Sequence, residues 1–124
     1  MILSSYTWLV PIRVKRAYAP ATTRDGTRYL VDRIWPRGVK KDTLSIEAWL
    51  KELAPSHELR KWFGHDPARW AEFKKRYFKE LTRKEDLWGP VHSAARKHTL
   101  TLVYSARDEE HNQAVELREF LESR

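Results

Sequence analysis

The sequence predicts a small single-domain α/β fold, a short, mainly parallel sheet packed with several helices. Three observations predict it. Two β-prone runs, residues 12–18 and 28–35, flank a turn-forming segment. A long stretch of helical spacing and capping signals follows. It ends in an apolar run, residues 99–104 (TLTLVY), which reads as a buried strand. A strand, a helical crossover and another strand favour parallel pairing. An α+β arrangement is the alternative.

The chain has 124 residues, long enough for one domain with its own core. With 41% hydrophobic and 33% charged residues, the composition is globular and not disordered. There is no cysteine, which excludes a disulfide scaffold, a thiol nucleophile and Cys-based metal or redox centres.

Element by element, residues 12–18 (IRVKRAY) alternate as a first strand, and Asp25-Gly26 marks the turn that follows. Residues 28–35 (RYLVDRIW) form a second strand, stopped by Pro36-Arg37-Gly38. Ser45 caps an expected helix whose Ile46, Trp49, Leu50 and Leu53 fall on one face and which Pro55 ends. Ser56 caps a short helix with Leu59, Trp62 and Phe63 inward, closed by Gly64. Asp66-Pro67 opens a long helix that buries Trp70, Phe73, Tyr77 and Leu81. Trp49, Trp62 and Trp70 read as core. A weaker helix is expected over 90–97, after Gly89-Pro90, and a last one over 109–122 with Asp108 as its cap.

The net charge of +7 is unevenly spread: residues 1–42 hold nine Lys/Arg against three Asp/Glu, whereas 85–124 hold five against eight. Solvated helix faces account for much of it, and an anionic partner is the sharper reading. The N-terminus lacks the layout of a signal peptide, and no run reaches 18 apolar residues. No membrane association and a cytoplasmic location are the expectations.

Ligands of open parallel sheets bind beyond the carboxyl ends of the strands. The second strand ends in Asp32, Arg33, Trp35 and Arg37; the third ends in Tyr104, Arg107 and Asp108, with His111 and Asn112 one turn on. If these strands are parallel neighbours, both sets open on one edge. Asp32, Asp108 and His111 are then the candidate acid–base groups. Arg33, Arg37 and Arg107 suit an oxyanion, and Trp35 and Tyr104 suit packing against a ligand. Each also has a structural reading, as an ion pair or a helix cap. Neither a Walker A nor a GxGxxG motif is present, His65, Asp66 and His111 lack metal-ligand spacing, and no cofactor is assigned.

Three segments carry a family resemblance: residues 31–38 (VDRIWPRG), 62–67 (WFGHDP) and 104–112 (YSARDEEHN). Together they resemble the bacterial and archaeal family called domain of unknown function 488, in its short YeaO-like branch. The resemblance spans about residues 12–122, so that 12–122 is expected to be the domain and 1–11 an extension. It adds the turn at residues 64–67, with His65, to the candidate ligand-binding residues. It does not name a substrate.

The functional expectation is an enzyme or ligand-binding protein for a small anionic or nucleotide-like molecule. A nucleic-acid-binding module, drawing on the basic helix with Lys74, Lys75, Arg76 and Lys79, is one alternative. A structural or interaction protein, such as a homodimer, is the other.

Overall fold

The computed structural model describes residues 11–124. The expected extension over 1–11 therefore lies outside the described residues except for Pro11. Nine elements follow in order: strands β1 (Arg13–Arg16) and β2 (Thr27–Leu30), helix α1 (Lys41–Leu44), strand β3 (Ala48–Trp49), helices α2 (His57–Phe63), α3 (Trp70–Thr82) and α4 (Glu85–Ala95), strand β4 (Leu100–Tyr104), and helix α5 (Gln113–Glu122). The sheet order is β1-β4-β2-β3, and every pairing is parallel. The α/β prediction and the parallel pairing both hold.

β4 is central and buried throughout. Its side chains alternate between two apolar layers. Leu100, Leu102 and Tyr104 join the large core made with α2, α3, α4 and α5. Val103 joins Leu30 and Leu44 in a smaller cluster on the other face, against which Trp35, Val39 and Ile46 pack.

Four local expectations change. The first concerns β2, which ends at Leu30, although Val31 N still donates to the Val103 carbonyl at 3.0 Å. The predicted helix over 46–53 is instead β3 followed by a single 3-10 turn, Lys51–Leu53. The free edge of β2 captures this segment: Glu47 N donates to the Arg28 carbonyl and Leu50 N to the Leu30 carbonyl, at 2.7 and 2.8 Å. Trp49 consequently lies 36% exposed rather than in the core, whereas Trp62 and Trp70 do pack against the core.

The remaining two concern the last helices. Pro90 does not precede a helix; it lies inside α4, where buried Val91 and Ala95 hold the helix against the core. The cap of α5 is Asn112, whose side chain accepts from Val115 N at 3.0 Å, so Asp108 stands one turn outside the helix. Ser56 and Gly64 end α2 as expected: Ser56 accepts from Leu59 N, and Gly64 adopts a left-handed φ of 53°. Asp66 caps the 3-10 turn Pro67–Arg69 that leads into α3.

Candidate functional site

All strands point the same way, so the loops after β2 and β4 leave the same edge of the sheet. Asp32, two residues beyond β2, turns toward the end of β4. Its Oδ1 accepts from Gln113 Nε2 at 2.6 Å and from Ser105 N at 3.4 Å. Its carbonyl accepts from Trp49 Nε1 at 2.7 Å, which ties the loop to β3. Asp32 is 6% exposed, and its Oδ2 is buried with no hydrogen-bond partner among the described residues. Burial raises its pKa above the ordinary carboxylate value, while Ser105, Gln113 and the charge of Arg60 pull the other way.

The loop after β4 is a tight hydrogen-bonded turn. Asp108 Oδ1 accepts from Glu110 N and His111 N, each at 2.9 Å, and Oδ2 lies 2.9 Å from His111 Nδ1. These backbone donors, together with His111, lower the Asp108 pKa. Asn112 Nδ2 donates back to the Asp108 carbonyl at 2.9 Å. The His111 ring meets the Trp70 ring edge-on at 5.2 Å, which fixes it from the α3 side. With Nδ1 donating to the carboxylate, a neutral imidazole leaves Nε2 as an acceptor.

Between these loops lies a cleft of about 560 Å³. Asp32, Arg33, Arg60, Arg107, Asp108 and His111 supply its charged and titratable lining along with His65; Phe63 and Phe73 supply its aromatic wall. Three guanidiniums thus face two carboxylates. Not all of these cations are available to a ligand. Arg33 Nε and Nη2 donate to the carbonyls of Pro55 and Ala54 at 3.1 and 3.0 Å, and Nη1 lies 3.7 Å from Glu52. The guanidiniums of Arg60 and Arg107 make no hydrogen bond or ion pair with any described residue. His65 holds a left-handed φ of 57°, and its ring lies 6.2 Å from that of Phe63. Such backbone is sparsely populated outside glycine, though histidine tolerates it better than most residues.

Among the residues expected from sequence, Asp32, Arg33, His65, Arg107, Asp108, His111 and Asn112 all line this cleft. Trp35, Arg37 and Tyr104 do not. Trp35 donates to the Val39 carbonyl at 2.8 Å and packs edge-on against Trp49 at 5.4 Å. Arg37 is exposed, with its carbonyl accepting from the Tyr18 hydroxyl. Tyr104 lines a separate depression with Arg16, Tyr18 and Glu109. Sequence reasoning missed Arg60 and Gln113. Arg60 lies three residues before Phe63 on α2, so helical spacing could have placed both on one side. For Gln113 the only signal was its position directly after the third motif.

Among the described residues no three His, Asp or Glu side chains gather as a metal site would require. No described helix is long and apolar enough to cross a membrane.

Comparison with known proteins places the segment that holds the three motifs in one family. The model described as the inactive DUF488-N3 subclade, DUF488-N3i, matches residues 11–124. The chain belongs to this family. Over 112 residues this DUF488 member is 44% identical to the uncharacterized protein YeaO of Escherichia coli K12, covering 90% of the chain and 97% of that protein. Uncharacterized proteins of Mycobacterium bovis and Mycobacterium tuberculosis are 50% identical over 70 residues, 56% of this chain and 59% of theirs. No solved structure matches the chain.

Proposed function

We propose that the cleft binds a small anionic molecule without turning it over. The observation that carries this reading is a pair of guanidiniums, Arg60 and Arg107, with no partner among the described residues, at a cleft also lined by Asp32, whose Oδ2 is buried and unpartnered among those residues. Arginines suit carboxylates and phosphates through their planar fork. A buried acceptor with no donor costs about 1–3 kcal/mol, a cost that a bound ligand's donor relieves. The family description reads inactive, which supports binding over catalysis. So does the commitment of Asp108, whose two oxygens are engaged within its own turn.

A thermal-shift panel of phosphate esters and small carboxylates tests the reading. At least one anion should raise the melting temperature in the wild type and lose its effect in Arg107→Ala. The bound molecule should be recovered unchanged after prolonged incubation. Equal shifts in wild type and Arg107→Ala would sink the site, and ligand consumed in proportion to protein would sink the non-catalytic reading.

The basic long helix, by contrast, has two of its cations in ion pairs. Arg76 pairs with Glu72 at 3.0 Å and Lys74 faces Glu119 at 4.0 Å. This favours the cleft over a nucleic-acid surface as the anion site.

A further inference from the structure

Resting on that reading, we infer that the ligand class of the cleft is a nucleoside monophosphate. Three features of the lining set three chemical requirements. The first is at Asp32. Gln113 and Ser105 both donate to Oδ1, which holds the carboxylate in one orientation and leaves Oδ2 buried and unpaired. Asp32 lines the cleft, so a ligand seated against it must bring a hydrogen-bond donor within reach of that atom. The donor is a neutral one, because Arg33, Arg60 and Arg107 share the lining and would repel a ligand cation.

The second requirement comes from the walls. Phe63 and Phe73 stack on each other at 4.4 Å and line the cleft with Ala54, Pro55 and Ala106. Apolar and aromatic surface of this kind favours a flat ring over a free sugar or a bare anion. The third is set by the guanidiniums of Arg60 and Arg107, which call for an oxyanion. A purine or pyrimidine base presents neutral N–H donors on a flat ring, and its 5′-phosphate supplies the oxyanion. The volume of about 560 Å³ lies within the range of small-ligand pockets.

The acidic turn does not oppose this placement. Asp108 is the only carboxylate of that turn in the cleft, and it faces His111; Glu109 lines the separate depression beside Tyr104. The phosphate is assigned to the two arginines and not to the N-terminus of α5.

Calorimetric titration of the full chain with the four common nucleoside monophosphates, their parent nucleosides, ribose 5-phosphate and phenyl phosphate tests the inference. At least one monophosphate should bind ten-fold or more tighter than its nucleoside, than ribose 5-phosphate and than phenyl phosphate, which has a ring and a phosphate but no N–H. In Asp32→Asn the two donors on Oδ1 keep the amide oxygen there and put the NH₂ in the place of Oδ2. The monophosphate should then lose about ten-fold, the scale of one hydrogen bond to a charged group, while phenyl phosphate binding stays unchanged. Arg107→Ala should weaken both, and Lys75→Ala, an exposed cation on α3, should weaken neither. Ribose 5-phosphate or phenyl phosphate binding as tightly as every monophosphate would overturn the nucleotide assignment and leave the anion cleft standing. Absence of binding by every phosphate would overturn the nucleotide assignment, and the wider carboxylate panel then decides the anion reading on its own. Monophosphate binding unchanged in Asp32→Asn would also overturn the inference, and the wild-type ligand ranking decides it independently if that variant fails to fold.

Discussion

Four arginines near the strand ends do different work with the same side chain. Arg16 donates to the carbonyls of Ala106 and Ser105 at 2.9 and 3.1 Å and so steadies the loop after β4. Arg33 steadies the opposite rim through Pro55 and Ala54. The guanidiniums of Arg60 and Arg107 make no hydrogen bond or ion pair with any described residue. Sequence placed Arg33 and Arg107 at neighbouring strand ends, but it treated them alike. The carbonyls that engage Arg33 lie 21 and 22 residues away in a turn whose course no local pattern reveals. The difference predicts opposite behaviour in chemical denaturation. Arg33→Ala should destabilise the fold by about 1.5–3 kcal/mol, since buried carbonyls lose charged donors. Arg107→Ala should stay within about 0.5 kcal/mol, as exposed positions do. Gly26 gives a second stability test at this scale. It holds a φ of 64°, and a Cβ there would lie 2.2 Å from the Thr99 carbonyl oxygen. Gly26→Ala should therefore cost more than about 1 kcal/mol in the same assay.

Elements read well from sequence where local chemistry decides them and poorly where a neighbour does. Ser56, Gly64 and Asp66 sit at ends fixed by their own hydrogen bonds or backbone angles. Residues 46–53 carry helical spacing, yet the unpaired edge of β2 draws them into β3, because tertiary hydrogen bonds outweigh a weak propensity. α5 poses a different problem. Glu116 lies on its inward side, 1% exposed, with Oε1 unpartnered among the described residues. Burial raises its pKa to about 7, helped by Glu119 and opposed by Lys74. It also bears electrostatically on the buried Tyr77 of α3. A carboxyl whose folded pKa exceeds its ordinary value of 4.5 lends full stability below that value and loses it as pH rises through about 7. Glu116→Gln abolishes the loss. Melting curves should show little change at pH 4 and a gain on the order of 1 kcal/mol at pH 8. A gain of the same size at both pH values would contradict this assignment.

At the scale of the whole molecule, the cleft depends on long-range closure of the sheet. Asp32 meets Ser105 and Gln113 across 73 and 81 residues of chain. The motifs were legible because each sits beside a strand end or a helix cap. Their meeting was legible only through the parallel topology, which makes β2 and β4 neighbours. That same topology divides the sheet energetically. β4 pairs on both sides and is buried along its whole length, so its amides open only when the two apolar layers part. β3 is two residues long, pairs with β2 alone and carries the half-exposed Trp49. It should open by a local fluctuation that leaves β4 intact. Native-state hydrogen exchange should therefore find Leu102 and Val103 exchanging at the free energy of global unfolding, and Leu50 at a smaller one. A ligand held in the cleft should then raise the protection of β4 by its full linkage energy, about 2.7 kcal/mol at a hundred-fold excess over Kd. Exchange at Leu50 has a separate route. Trp49 holds the Asp32 carbonyl, so β3 opening slackens the loop that carries the cleft's buried carboxylate. Leu50 should gain protection with ligand as well if that tether couples the two, and Trp49→Phe, which removes the indole donor together with part of the ring, should uncouple them.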